Sequence, residues 1–289
     1  MDAFTLDHQR ARESLLEFIA IYRQRPIRNN AGGMGLNHSF ATWFILRQMQ
    51  PSLVVESGVW RGHSTWLIEQ AVPSAEIVAI DPRPERRLYS SPHARYTTAD
   101  FTQIDWSHSD VADAVCFFDD HQNAYSRMKE MAWLGFRHAI FEDNYPCGEG
   151  DFYSLRHLRS GVGHPHLQMS PAYAYRPREA AKRWFLEPLL HWCGAGQHLV
   201  VPPNLSDRAN LERHLAKYLE FPAVMLAATN NWGGPWEGAF EPVPPLFARE
   251  DSAVVALLGD SHGLDLSYGY LAYVALREQA EIPSGAENR

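Results

Sequence analysis

The sequence has little cysteine, no long apolar run and no cluster of basic residues. Its 289 residues include only Cys116, Cys147 and Cys193, which are too few and too scattered for a disulfide framework or a structural zinc site. No stretch reaches the roughly 18 apolar residues of a membrane span, and the first residues lack the pattern of a signal peptide. We therefore expect reduced thiols, a cytoplasmic location and no membrane partner.

The charge pattern also excludes a class of partners. The 34 acidic and 26 basic residues give a formal net charge of −8, and the two signs are interspersed. Because a nucleic-acid backbone attracts a basic surface, no nucleic-acid partner is expected. A hydrophobic content of 45% is enough to bury one large core. The composition therefore predicts one large core and no polyanionic partner.

Helices and strands alternate through the first half of the chain. Residues 1–50 contain two stretches with helical periodicity, 7–24 and 38–49, and predict an N-terminal helical cap. From Leu53 onward, short continuously apolar runs alternate with helical segments, as in a parallel sheet that is buried on both faces. The pattern predicts one α/β domain over residues 51–289.

Beyond Pro146 the pattern is weaker. We predict an insertion at about 146–205 and a lid loop, rich in Gly, Pro and Trp, at about 229–246, with helical spacing at 178–193 and 206–219. The runs SAVVALLG and LSYGYLAYVALRE favour an antiparallel pair at the sheet edge, with helix as the alternative for either. The aromatic runs at 173–175 and 230–234 are candidates for an acceptor pocket or for surface packing.

A glycine-bearing turn follows the first predicted strand. Glu56, Gly58 and Gly62 lie between this strand and a helix, and Asp81 closes the next strand. Glycines let the backbone turn tightly, and the helix N-terminus presents free amides. A carboxylate at the end of the second strand is placed to bind both ribose hydroxyls of a nucleoside. The G-x-G-x-x-G spacing of a dinucleotide site is absent, which argues against an NAD-dependent oxidoreductase.

The stretch VVESGVWRG resembles the first motif of the class I S-adenosylmethionine (SAM)-dependent methyltransferases. The resemblance covers roughly residues 53–145 and implies a Rossmann-like, doubly wound, mostly parallel seven-stranded sheet with N-terminal helices and a C-terminal insertion. It implies SAM as the cofactor and the following cofactor-binding residues: Glu56, Gly58, Gly62, Asp81, Asp100, Phe101 and Asp119. Of these, Asp81 would bind the ribose and Asp100-Phe101 would flank the adenine. Glu56 has the alternative role of bracing the turn.

Two oxygen-rich clusters follow the fourth and fifth predicted strands. They are Asp119-Asp120-His121 and Glu142-Asp143-Asn144. The carboxyl ends of parallel strands share one edge, so both clusters are expected beside the glycine turn. Such groups suit a hard cation. Because neutral imidazole takes a hydroxyl proton near pH 7, His121 is the expected general base, with Asp120 and Asp143 as further catalytic candidates.

The second cluster also resembles the macrocin O-methyltransferase and cephalosporin-hydroxylase-like branch of the superfamily. There, acids after these two strands hold a divalent metal beside the acceptor hydroxyl. The resemblance implies a Mg²⁺ site formed by Asp119, Glu142 and Asp143, although Glu-Asp-Asn departs from the plain Asp-Asp pair. The alternative is that one acid bonds SAM or substrate while its neighbours cap helices.

The expected function is methyl transfer from SAM to a small-molecule acceptor, with oxygen as the favoured atom. Two alternatives stay open: a cyclisation or lyase reaction of SAM that releases methylthioadenosine, and a SAM-binding module without catalysis. Asn37 opens the second helix, either as its N-cap or as a cover over the cofactor. The N-terminal helices themselves would cover the pocket or form the face of a homo-oligomer.

Overall fold

The computed structural model describes residues 1–147, 149–150, 152–160, 205–259 and 266–278. The strands in these ranges are β1 (Leu53–Ser57), β2 (Glu76–Ile80), β3 (Ala94–Thr97), β4 (Ala114–Phe118), β5 (His138–Phe141), β6 (Leu215–Phe221) and β7 (Leu271–Leu276). The helices are α1 (His8–Glu13), α2 (Leu15–Tyr22), α3 (Leu36–Met49), α4 (His63–Ala71), α5 (Ala124–Leu134), α6 (Leu155–Ser160), α7 (Leu205–His214) and α8 (Ser252–Leu258). None of these helices is both long and apolar enough to cross a membrane.

The seven strands form one sheet in the order β3-β2-β1-β4-β5-β7-β6. Strands β1 to β5 pair in parallel, whereas β7 runs antiparallel to both of its neighbours, β5 and β6. The order reverses beside β1, so the turns after β1 and β4 open onto the same crevice. The prediction of a mostly parallel, seven-stranded Rossmann-like sheet is confirmed.

The central strands are buried on both faces. Every residue of β1, β4 and β5 is buried, which explains why these strands are mostly apolar in sequence, with Glu56, Ser57 and His138 as polar exceptions. One face packs against α2, α3 and α4 through an aromatic cluster that includes Phe18, Phe40 and Trp43. The other face contains Phe101 and Phe136. The N-terminal helices are therefore part of one face of the core.

Two predictions in the second half of the chain are corrected. The run SAVVALLG is helix α8, not a strand, because the side chain of Asp251 caps it by accepting from the N–H groups of Ala253 and Val254. The stretch 206–219 is helical only as far as His214 and then becomes strand β6, which pairs with β7. The helical patch at 178–193, the aromatic run at 173–175 and most of the predicted insertion at 146–205 lie outside the described residues.

The segment predicted as a lid, residues 229–246, is a packed loop. Its turn is organised by Asn230, which is buried, and whose side-chain oxygen accepts from the N–H groups of Trp232 and Gly234. The Tyr270 hydroxyl donates to the Phe240 carbonyl and joins the loop to the residue before β7. One member of the loop, Asn231, lines the cavity described next.

Candidate functional site

A cavity of about 510 Å³ opens at the carboxyl edge of the sheet, a volume typical of small-molecule sites. Its walls come from the ends of β1, β2, β4 and β5, from the loop before α3, and from the segment before β7. The sequence-predicted residues on the wall are Gly58, Asp81, Asp100, Asp119, Asp120, His121, Glu142 and Asp143. Glu56, Gly62 and Phe101 do not line it.

Gly58 forms the tightest point of the turn after β1. Its φ is +99°, and a Cβ atom there would lie 2.1 Å from the carbonyl oxygen of Asp119. Only glycine adopts this backbone conformation without strain, and no side chain fits against that carbonyl. Gly58 therefore lets the turn after β1 approach the turn after β4.

Asp81 holds the glycine turn from the end of β2. Its Oδ2 accepts from the backbone N–H groups of Val59 and Trp60 at 3.1 and 2.6 Å, and its Oδ1 accepts from the Arg83 N–H at 2.7 Å. A carboxylate offers about four acceptor positions, so these bonds leave room for roughly one more. The carboxylate thus shapes the turn and still reaches the cavity wall.

Glu56 and Gly62 lie behind the turn. Glu56 is fully buried and accepts from the Thr65 hydroxyl at 2.6 Å, and burial raises its pKa to about 7. This geometry is that of a residue bracing the first turn of α4. Gly62 precedes α4 at φ +90°, and a Cβ there would lie 2.4 Å from the Tyr89 carbonyl oxygen. Both residues support the turn from outside the cavity.

Arg127, which sequence reasoning missed, organises the acids beside the predicted adenine position. Its side chain is nearly buried and lies 2.9 Å from Asp100 Oδ2 and 2.8 Å from Asp120 Oδ2. The Arg127 hydrogen bond holds the pKa of Asp100 well below its usual range. Asp120 also accepts from the Ser57 hydroxyl at 2.7 Å. Phe101 packs in the core against Phe118 and Phe136 rather than facing the cavity.

The opposite end of the cavity brings together Asp119, His121 and Asp143. One potential ligand atom from each lies within 4.8 Å of the others, and His121 Nε2 is 3.7 Å from Asp143 Oδ2. Burial, and then the nearby Asp143 carboxylate, raise the pKa of Asp119 well above its usual value. His121 is half exposed at φ +54°. A cation bound at this end would therefore stabilise the charged form of these carboxylates.

Glu142 does not join that group. Its Oε1 lies 2.5 Å from Nδ1 of His38, and both side chains are buried. Asp143 instead accepts from the Tyr268 hydroxyl at 2.7 Å. Asn144 is also buried and accepts from the backbone N–H of Arg156, so it supports the edge of the sheet. The three neighbours Glu142, Asp143 and Asn144 thus have three different environments.

Comparisons with known proteins find structural similarity alone. No family model and no curated protein matches the sequence. CmcI solved with Mg and SAM is 19% identical, with 37% of this chain and 52% of that chain covered at a TM-score of 0.29. SAH-bound methyltransferase PaMTH1 from Podospora anserina is 14% identical, with 75% of this chain and 85% of that chain covered at a TM-score of 0.39. The O-methyltransferase TomG from Streptomyces achromogenes is 12% identical, with 47% of this chain and 66% of that chain covered at a TM-score of 0.31.

The matched part spans about half the length of the CmcI chains. The fold is evident from the sheet itself. Five parallel strands, a single antiparallel strand placed between β5 and β6, and a glycine turn after β1 are all present. The described strands therefore form a Rossmann-like, mostly parallel seven-stranded sheet.

Proposed function

We propose that the protein transfers a methyl group from SAM to an oxygen atom of a small molecule. The observation that carries the proposal is the cavity, which joins the Gly58 turn and Asp81 at one end to Asp119, His121 and Asp143 at the other. A donor bound along the first end and an acceptor at the second would be held close and aligned, which is the main requirement for direct transfer.

The first end of the cavity supports a nucleoside. Asp81 already accepts three backbone N–H groups, so we expect it to accept one ribose hydroxyl in its remaining position rather than two. Asp100 lies on the same wall with its carboxylate fixed by Arg127. Glu56 and Phe101 contribute by bracing the turn and filling the core behind it.

The second end has a donor set that fits a divalent cation. Asp119 and Asp143 supply carboxylate oxygens and His121 supplies an imidazole nitrogen, in place of the expected Glu142. A cation bound there would lower the pKa of an acceptor hydroxyl. An imidazole nitrogen that coordinates a metal cannot take up a proton, so we assign His121 the ligand role. Asp143 is oriented by Tyr268 toward this group.

The transfer itself is an in-line displacement. The acceptor oxygen forms a bond to the methyl carbon, the carbon–sulfur bond of SAM breaks, and its electron pair remains on sulfur. The products are the methylated acceptor and S-adenosylhomocysteine (SAH), and the proton of the acceptor is released to water. The positive charge on sulfur is lost as the bond breaks, so the main contribution of the protein is to align the reactants.

Binding and product analysis test this function. We expect isothermal titration to show SAM and SAH binding, and mass spectrometry with small hydroxyl acceptors and methyl-labelled SAM to show labelled product and SAH. Methylthioadenosine without SAH would instead identify a cyclisation or lyase reaction. Absence of any SAM or SAH binding to the folded protein would overturn the proposal.

A further inference from the structure

His38 bonds Glu142 in a fixed orientation. The backbone N–H of Tyr270 donates to His38 Nε2 at 2.9 Å, so this nitrogen carries no proton. The proton of the neutral imidazole therefore lies on Nδ1, which donates to Glu142 Oε1 at 2.5 Å. His38 is 2% exposed and Glu142 is 4% exposed, so solvent does not compete strongly for this bond.

The helix turn that carries His38 is held in place by several independent contacts. The side-chain oxygen of Asn37 accepts from the backbone N–H of Val224 at 3.0 Å, and its amide nitrogen donates to the Tyr268 carbonyl. The N-cap of α3 is Gly35, so Asn37 tethers the helix instead of capping it. The rings of His38 and Tyr268 lie 4.6 Å apart between centroids. The position of His38 is thus set by Val224, which follows β6, and by the segment before β7.

That same segment orients the neighbouring acid. The Tyr268 hydroxyl donates to Asp143 Oδ1 at 2.7 Å, while Asp143 Oδ2 is the oxygen 3.7 Å from His121. Two consecutive carboxylates are thereby directed to different partners. Among the described residues, Asp143 is grouped with Asp119 and His121, and Glu142 is not.

We propose that His38 is a positioning residue that keeps Glu142 out of the ligand set of the cation site. The inference rests on the proposed cation site and adds to it. With Glu142 engaged, the site offers two carboxylates and one imidazole; without His38 it would offer a third carboxylate. Ligand charge is one of the main determinants of divalent-cation affinity, so His38 lowers that affinity. Hydrogen-bonding partners just outside a metal site commonly control its ligands in this way.

A pair of neighbouring variants tests the division between the two acids. We would titrate the full chain, without SAM, with Mn²⁺ and follow free Mn²⁺ by electron paramagnetic resonance. Asp143→Asn is expected to weaken binding by at least about tenfold, because it removes a ligand. Glu142→Gln keeps an acceptor for His38 and is expected to change affinity by less than about threefold. Equal losses in the two variants would overturn the inference while leaving the cation site in place.

Variants of His38 test the cause. His38→Leu removes the donor, and we expect Mn²⁺ affinity to rise on the order of tenfold as Glu142 joins the ligands. His38→Asn places an amide donor near the former Nδ1 and is expected to restore wild-type affinity. Adding Glu142→Gln to His38→Leu should cancel the gain. A role of His38 in stability alone would lower the melting temperature without this gain, and that result would contradict the proposal.

Failure of the proposed cation site gives a different pattern. If the wild-type protein binds no Mn²⁺, metal assistance is wrong, yet a gain of binding in His38→Leu that depends on Glu142 would still support the inference. No gain in that background would overturn both. His38→Ala replaces the leucine variant if the latter does not fold, as judged by thermal unfolding.

Discussion

The carboxylates at the two ends of the cavity have different hydrogen-bond partners and different charged neighbours. At the glycine-turn end, backbone N–H groups satisfy Asp81, and Arg127 neutralises Asp100. At the opposite end, Asp119 and Asp143 lie close together, and the pKa of Asp119 is raised. The first end is preorganised by the protein itself, whereas at the second the charged form of Asp119 is disfavoured by burial and by Asp143. A nucleoside fits the first environment and a cation fits the second.

Gly58 joins the two ends, and its substitution has the largest expected effect. Gly58→Ala places a Cβ 2.1 Å from the Asp119 carbonyl at φ +99°, so we expect a loss of about 4 kcal/mol in unfolding free energy and no SAH binding. Gly233→Ala is the matched control, because φ is +82° there but no atom lies within 4 Å. Gly233→Ala should lower the unfolding free energy by about 1 kcal/mol. Urea unfolding of both variants measures the difference, and equal losses would contradict the close-approach argument.

Arg127 tests the statement that the first end is neutralised by the protein. Arg127→Met leaves Asp100 and Asp120 without their cation, and breaking the nearly buried pair with Asp120 costs about 3 kcal/mol, whereas the half-exposed pair with Asp100 adds little. Arg137→Met is the control, because the partner of Arg137, Glu278, is 81% exposed and such a pair contributes less than about 1 kcal/mol. Chemical denaturation of the two variants checks this order. If Arg127→Met loses no more unfolding free energy than Arg137→Met, the organising role of Arg127 is contradicted.

Glu56 gives a pH-dependent prediction for the region behind the first end. Its folded-state pKa of about 7 lies above the ordinary 4.5. The contribution of Glu56 to the unfolding free energy is therefore complete below pH 4.5 and is lost as the pH rises through 7. Glu56→Gln has no such charge to bury. From pH 5 to pH 8 the unfolding free energy of wild type should fall by up to about 3 kcal/mol relative to the variant. Parallel pH profiles would show that Glu56 is not buried as described.

Asp119→Asn has the smallest expected effect on the free energy of unfolding. The sign of this effect is opposite to that of Arg127→Met. Because its pKa is raised, the folded state disfavours the charged carboxylate, and this cost grows as pH rises. Without divalent cations, Asp119→Asn should stabilise the protein at pH 8 by about 1 kcal/mol and by less at pH 5. Thermal unfolding in EDTA measures it. Destabilisation at pH 8 would mean that the acids at this end are already satisfied.

The parallel strands and the glycine turn were predictable from sequence because their constraints are local. Continuously apolar runs mark strands buried on both faces, and Gly58 is required by one close approach. For the run that forms helix α8, a strand was favoured and a helix left as the alternative, because a short valine-rich run has no clear period. Its capping residue, Asp251, was the local signal that marks it as a helix.

The side-chain environments at the sheet edge could not be predicted in the same way. A position after a strand does not determine which way its side chain points, so Phe101 was assigned to the adenine while its ring packs in the core. The contact between His38 and Glu142 joins residues 104 positions apart, and no spacing pattern reports it. Arg127 offered only a weak signal, a basic residue in the helix after an acidic cluster.

The difference between the two ends is tested most directly by crossed binding measurements on two variants. Asp81→Ala and Asp143→Asn would each be titrated calorimetrically with SAH and, separately, with Mn²⁺. We expect Asp81→Ala to weaken SAH binding on the order of tenfold and leave Mn²⁺ binding nearly unchanged, and Asp143→Asn to do the reverse. Absence of SAH binding to the wild-type protein, or equal losses of both ligands in both variants, would contradict a cavity with a nucleoside end and a cation end.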